Sequence, residues 1–306
     1  VSLPMSLTGI MGTINKNIDS MTVVRGLKTF LSEEAAKIQY GILSGKVDTL
    51  VTLPMSFNMA FATALVPSIS SAKAVGDMTT IRKRVSFSIL ITILIGLPFM
   101  VGMILFAEPI LKLLFPNATS GSFIYQISCL SIIFIVLEQT ICGTLHGLGK
   151  MMIPAISLGV GVVVKLILNL LLIPINPREF ALGGAAGAAF ATAICHMISV
   201  VIQFYILQKE IGLKLDCKKF ILKPFIAVVV MGIVSYQSYC YVLLRIGNSN
   251  LSTILGLGIA VIIYFIMIMI LKIFSEEEYH MIPYGKKFYD FFKKPRLYGK
   301  RRTTLK

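Results

Sequence analysis

VSLPMSLTGIMGTINKNIDSMTVVRGL, residues 1–27, is apolar enough for a bilayer except at its centre, where NKNID (15–19) places two amides, a lysine and an aspartate within five positions. With a helix over 3–24, Lys16 falls about 4 Å beyond the midplane at about 1.5 Å per residue. Its stem cannot carry the ammonium to an interface about 15 Å away. Asn15 and Asp19 are four residues apart and Lys16 and Asp19 three, so all three share one side of the helix. Charge facing hydrocarbon is costly, so that side faces protein or water. Two readings remain at this point: the segment lines a hydrated cavity, or Lys16 and Asp19 neutralise each other within the helix.

Working outward, the composition makes such segments the rule. Hydrophobic residues are 56% of the chain and charged residues 14%, with mean hydropathy +0.84, far from the balance of a soluble domain. Apolar windows long enough to cross about 30 Å of hydrocarbon predict eight helices, at roughly 3–24, 40–71, 85–107, 122–147, 151–174, 181–208, 220–244 and 250–273. The fold class is therefore an all-α polytopic membrane protein. Pro54 and Pro98 fall inside spans, and Pro174 and Pro177 close the fifth. No basic n-region or small-residue cleavage site opens the chain. A span that follows directly on Val1 suggests a fragment whose earlier residues are missing.

Lysines and arginines set the orientation. If the first helix runs from inside to outside, the inner loops hold Lys73, Arg82, Lys83, Arg84, Lys150, Lys209, Lys214, Lys218 and Lys219, and the tail is strongly basic. The outer loops hold only Arg25, Lys28, Lys37, Lys112, Arg178 and Arg245. This places the C-terminal tail in the cytoplasm. The net charge of +15 then needs no nucleic acid, because basic residues at the inner face meet anionic lipids. FYDFFKKPRLYGKRRTTLK (288–306), directly following a membrane helix, reads as an interfacial anchor on membrane lipids.

Other helices repeat the polar island. Ser44, Asp48, Thr52 and Ser56 fall at four-residue steps, with Lys46 near the outer end of the same span. Ser157, Gly161, Lys165 and Asn169 form a second stripe, and Glu138, Cys142 and His146 a third, with Gln139 and Gly143 beside it. Several polar faces in one bundle imply a hydrated cavity, and Lys16, Lys46 and Lys165 in the outer half give it a cationic wall. GGAAGAAFATA (183–193) is a small-xxx-small surface for close helix packing. It is not a nucleotide loop, since no strand precedes it and no GK[ST] follows. HGLGK (146–150) is a tight turn with Gly147 and Gly149 supplying the reversal. The five scattered cysteines suggest neither disulfides nor a metal site. His196 and His280 lack partners at zinc-ligand spacing, and no cofactor motif is present.

NIDSMTVVRGL (17–27), AAKIQYGILSGKVDTLVTLPMSF (35–57), TALVPSISSAKAVGD (63–77), FAEPILKLLF (106–115), LHGLGKMMIP (145–154) and VKLILNLLLIP (164–174) together resemble the stage V sporulation protein B and polysaccharide-exporter branch of the multidrug/oligosaccharidyl-lipid/polysaccharide superfamily. The resemblance covers nearly the whole chain. It implies a bacterial plasma-membrane flippase of lipid-linked glycans, built from two lobes around a central cavity and working by alternating access. Residues 1–208 would match the second six-helix lobe, 209–274 would add two further helices with a basic loop before them, and 275–306 would be the tail. The first lobe would then be a missing partner. On this reading Asn15, Lys16, Asp19, Lys46, Asp48, Lys165 and Asn169 line the cavity and hold an anionic lipid-linked head group.

Other readings stay open at the level of sequence. A drug or cation antiporter of the same superfamily would use Asp19 or Asp48 as its ion-binding carboxylate. A membrane glycan ligase or polymerase would need acids or histidines grouped in an outer loop, and the outer loops are short and poor in both. A scaffold for envelope assembly would not need charges deep in the bilayer.

Overall fold

The computed structural model describes residues 2–275 and 278, the side chains of 2–5 aside. Among these residues every regular element is a helix. Seven continuous helical rods are long and apolar enough to cross a membrane. The first expected span is present as α1 (Ser2–Leu27), 26 residues long, but its polar centre leaves it outside those seven. It packs between its neighbours in the bundle, chiefly against α8 (Met152–Leu172) and also α9 (Gly184–Ile211).

The second expected span begins earlier than apolarity alone indicates. It is a 42-residue rod, Glu33–Ala74, made of α2 (Glu33–Gly41), a π-helical stretch (Ile42–Val47) and α3 (Asp48–Ala74). Ser32 caps α2 by accepting the Ala35 amide proton, and Glu33 pairs with Lys28 at 2.8 Å and Lys37 at 2.9 Å. This polar first turn is stabilised by caps and charge pairs rather than apolar burial. Pro54 and Pro67 lie inside α3 and Pro98 inside α4 (Met78–Leu105).

A two-turn amphipathic helix, α5 (Ala107–Leu114), follows α4; it buries Leu111 and sets a 2.6 Å Glu108–Lys112 pair on its open side. The next rod is α6 (Ser122–Cys129) and α7 (Ser131–Gly147), broken only at Leu130. After α8 and α9, a second π stretch (Lys218–Leu222) leads into α10 (Lys223–Ile246), and α11 (Ser249–Ile270) closes the described bundle. The tail, with its anchor reading and His280, lies outside the described residues apart from Ser275 and Glu278.

Small residues set the closest approaches. A Cβ on Gly161 of α8 would sit 2.5 Å from the Cys195 carbonyl oxygen of α9, and one on Gly143 of α7 would sit 2.5 Å from the Ala62 carbonyl oxygen of α3. These are the contacts small residues permit between membrane helices. In HGLGK the reversal belongs to Gly149 alone, at φ +73°. Gly147 instead ends α7 and lets it pack on Ile69 and Val66. The hairpin of α10 and α11 packs on α4 within one apolar core that also holds Ile89, Leu90 and Leu145. The Tyr264 hydroxyl of α11 donates to the Leu94 carbonyl of α4 at 2.8 Å.

Candidate functional site

α1 and α8 meet through polar groups rather than through apolar ridges. Lys165 Nζ lies 2.6 Å from Asp19 Oδ2, 2.9 Å from Asn15 Oδ1 and 3.0 Å from the Asn15 carbonyl. Three donors meet three acceptors, so this 1%-exposed ammonium is fully satisfied. Asn169 Nδ2 donates to Asp19 Oδ1 and to Thr22 Oγ1, each at 3.0 Å. Four residues of the two sequence stripes, Asn15, Asp19, Lys165 and Asn169, are thus brought together. Asp19 pairs across the helix interface with Lys165 rather than along its own helix with Lys16.

The network continues. Lysine only donates, so the Asn15 atom facing Lys165 is its oxygen, and its Nδ2 faces His196 Nε2 at 3.3 Å. His196 Nδ1 is 2.6 Å from Glu138 Oε2 of α7. Ser199 Oγ donates to Glu138 Oε1 at 2.7 Å, and Gln203 Nε2 to Ser157 Oγ at 3.0 Å and Ser199 Oγ at 2.9 Å. From Asn169 to Ser157 the chain covers twelve residues of α8, about 18 Å of depth. A second knot joins α3, α4 and α7: Asn58 donates to the Val136 carbonyl at 2.8 Å and Gln139 Oε1 at 3.0 Å, and Thr92 and Thr140 hydroxyls lie 2.7 Å apart.

Beside the network is a pocket of about 500 Å³ between α1, the Glu33–Ala74 rod, α6–α7, α8 (through Lys165) and α9. Asn15, Lys16 and Asp19 line it from α1, Ser44, Asp48 and Thr52 from the rod, and His196 from α9. Lys16 and Asp48 are exposed to it. The expected cationic wall is therefore thinner than the sequence suggests, because Lys165, which also lines the pocket, is neutralised by Asp19 and enclosed by Asn15. Lys46 leaves the site altogether. It is two residues from both Ser44 and Asp48, which puts it on the other side of the rod. Its ammonium donates to the Ala118 and Ser120 carbonyls and sits 5.2 Å from the Phe115 ring centre, pinning the rod to the loop between α5 and α6.

The pairing of Glu138 with His196 was missed in the sequence, although His196, Ser199 and Gln203 fall at helical spacing on one face of α9. The four-residue stripe of α7 instead sets Glu138 with Cys142 and His146. Those two contact each other instead, with Cys142 Sγ 3.7 Å from His146 Nε2. Asn58 gave no signal, standing alone in an apolar run.

A helical bundle with a polar, partly charged pocket set among its spans is a polytopic membrane protein with an intramembrane polar site. The chain belongs to the lipid II flippase MurJ family, whose family model matches residues 47–248. It is 28% identical over 284 residues to the membrane protein YabM of Bacillus subtilis, covering 90% of this chain and 51% of that protein. It is 23% identical over 287 residues to the stage V sporulation protein B of the same organism, covering 92% and 53%. Among solved structures it is similar to the lipid II flippase MurJ in an inward closed conformation, with TM-score 0.62 at 19% identity over 88% of this chain and 52% of that one. The chain spans about half the length of the curated relatives it matches.

Proposed function

We propose that this chain forms one side of the head-group site of a flippase for anionic lipid-linked glycans of the bacterial plasma membrane, such as polysaccharide or peptidoglycan precursors. The observation that carries the reading is Lys16, a cation exposed inside the membrane on the wall of a polar pocket. A lipid pyrophosphate needs cations and hydrogen-bond donors that the bilayer does not offer. Lys16 supplies the cation and Asn17, Ser20 and Thr52 supply polar groups beside it. About 500 Å³ fits a phosphate-sugar head group rather than a whole glycan, in keeping with roughly 300–1,000 Å³ for sites that enclose a small ligand. The acyl chain stays in lipid. Residues 1–208 then act as one lobe, and a second lobe closes the pocket by rocking against α1 and α3.

The test is lipid-linked precursor binding by the intact protein in nanodiscs. Lys16→Gln removes the charge-assisted contact, about 1.5–3 kcal/mol, which is a roughly 10- to 150-fold loss of affinity. Lys16→Arg keeps part of it. Unchanged binding by Lys16→Gln would sink the head-group role. The exposed carboxylate of Asp48 on the opposite wall favours a second reading, a cation antiporter. In that case Asp48→Asn abolishes transport while Lys16→Gln is tolerated.

A further inference from the structure

The head-group reading makes no use of Glu138 and His196, an acid and a base inside the bilayer with side chains 12% and 13% exposed. Their hydrogen bonds fix where protons sit. Asn15 offers its amide N–H to His196 Nε2, so Nε2 is the acceptor and Nδ1 carries the hydrogen donated to Glu138 Oε2 at 2.6 Å. In this arrangement the imidazole is neutral and the Glu138 carboxylate is held by His196, Ser199 and Gln203. A proton arriving at Nε2 converts the pair into imidazolium and carboxylate, which cancels the buried negative charge. It also turns Nε2 from acceptor to donor, facing the Asn15 N–H, so two donors confront each other and the Asn15–His196 hydrogen bond is lost.

We infer that the Glu138–His196 pair is a proton-binding site that couples proton uptake from the pocket to release of α1, the helix that carries Lys16. The inference rests on the flippase reading for its purpose but not for its chemistry. His196 lines the pocket, which gives the proton its route. The other groups around the imidazole permit this. On α1 are Asn15 and Asp19, with Lys16 on the pocket side. On α8 is Lys165, already neutralised by Asp19 at 2.6 Å. On α7 Cys142 neighbours Glu138 itself, and on α9 Cys195 lies 3.9 Å from Asn15 Oδ1. From α6, Ser128 reaches the pocket, while Tyr125 and Cys129 are buried in an apolar cluster. The other acids at the pocket are Asp19, paired with Lys165, and Asp48 on the Glu33–Ala74 rod. When the Asn15–His196 contact opens, α1 stays tied to α8 through Lys165 and Asn169, so it pivots away from α9 rather than leaving the bundle.

The experiment follows the switch in the intact protein in nanodiscs, without substrate. Nitroxides replace Ser20 on α1 and Thr192 on α9, both pocket-lining. Cys142, Cys217 and Cys240 are substituted, and Cys129 and Cys195 are buried. As the sample pH is stepped from about 8 down to about 5, the label separation lengthens by a few ångströms. Histidine nitrogen NMR shows His196 passing from the Nδ1–H tautomer to the doubly protonated ring over the same range. Glu138→Gln and His196→Gln abolish the lengthening. A labelled protein with Glu138 and His196 intact whose spacing ignores pH, or an unlabelled wild-type protein whose His196 carries its hydrogen on Nε2 when neutral, overturns the inference, and the second result depends on no variant folding. The two readings separate cleanly. A pH-driven spacing change in a protein that moves no glycan keeps the proton site and removes the flippase reading. Normal glycan movement with pH-independent spacing does the reverse.

Discussion

At the residue scale, the buried ion pair decides how Lys165 is to be understood. Its ammonium is enclosed by Asp19 and Asn15, so removing its charge acts first on folding. A single Lys165→Met leaves Asp19 partly buried without its counter-ion and costs about 3–5 kcal/mol, read as a lower unfolding midpoint in detergent or nanodiscs. Replacing both partners together, Lys165→Met with Asp19→Leu, recovers much of that loss, because an apolar pair needs no desolvation compensation. A double variant as unstable as the single one would show that Asn15 and Asn169 depend on the ion pair for their own positions. The stripe Ser157, Gly161, Lys165, Asn169 was legible in the sequence because helical spacing alone places those residues on one face, and all four are buried. Which partner each would choose was not legible. Lys16 and Lys165 are both deep lysines near Asp19, and only the crossing of α1 with α8 selects Lys165. Lys46 shows the same limit from the other side: its acceptors are loop carbonyls of Ala118 and Ser120, which no periodicity encodes.

At the scale of elements, hydropathy located the spans and small residues set their spacing. The rods Ser122–Gly147 and Met152–Leu172 fall within a residue or two of the apolar windows, since uninterrupted burial in lipid or protein leaves a clear boundary. Elements stabilised by other means escaped: α2, held by a serine cap and ion pairs, and α5, only eight residues long. The π stretch at Ile42–Val47 was also invisible, because one extra residue per turn changes no composition. For packing, Gly161→Ala forces a methyl to within 2.5 Å of a backbone oxygen that cannot rotate away. It costs about 1–3 kcal/mol through displacement of α9. Gly12→Ala on α1, with nothing within 4 Å of the added carbon, is neutral or stabilising by up to about 1 kcal/mol from helix propensity. Thermal unfolding of the two variants side by side checks the contrast, and equal effects would refute the close-approach account of α8 and α9.

At the scale of the whole molecule, basic side chains gather where helices end. Lys73 donates to the Leu148 carbonyl at 2.6 Å, Arg82 to the Ile211 carbonyl, and Lys150 pairs with Glu210 at 3.2 Å. The loops near residues 76, 149 and 212 therefore share one end of the bundle, and cations there meet helix C-terminal carbonyls. With the positive-inside tendency, this end is expected in the cytoplasm, so a cysteine at position 214 should react with a membrane-impermeant thiol reagent only from inside and one at position 178 only from outside. The opposite pattern at 178 would invert the map. The pocket carries the last expectation. Its walls come from α1, the Glu33–Ala74 rod, α6–α7, α8 and α9, yet α1 and α3 also expose Ile10, Met21, Leu53 and Phe57. Such apolar surface is covered equally well by lipid or by a facing lobe. Since relatives are about twice as long, the 306 residues expressed alone should insert and keep the Lys165–Asp19 core, but should not change the leaflet of a lipid-linked precursor in vesicles. Joined to an upstream lobe, they should do so. Leaflet exchange by the 306 residues alone, at the rate of the longer protein, would place the whole transport path within this bundle and remove the need for a second lobe.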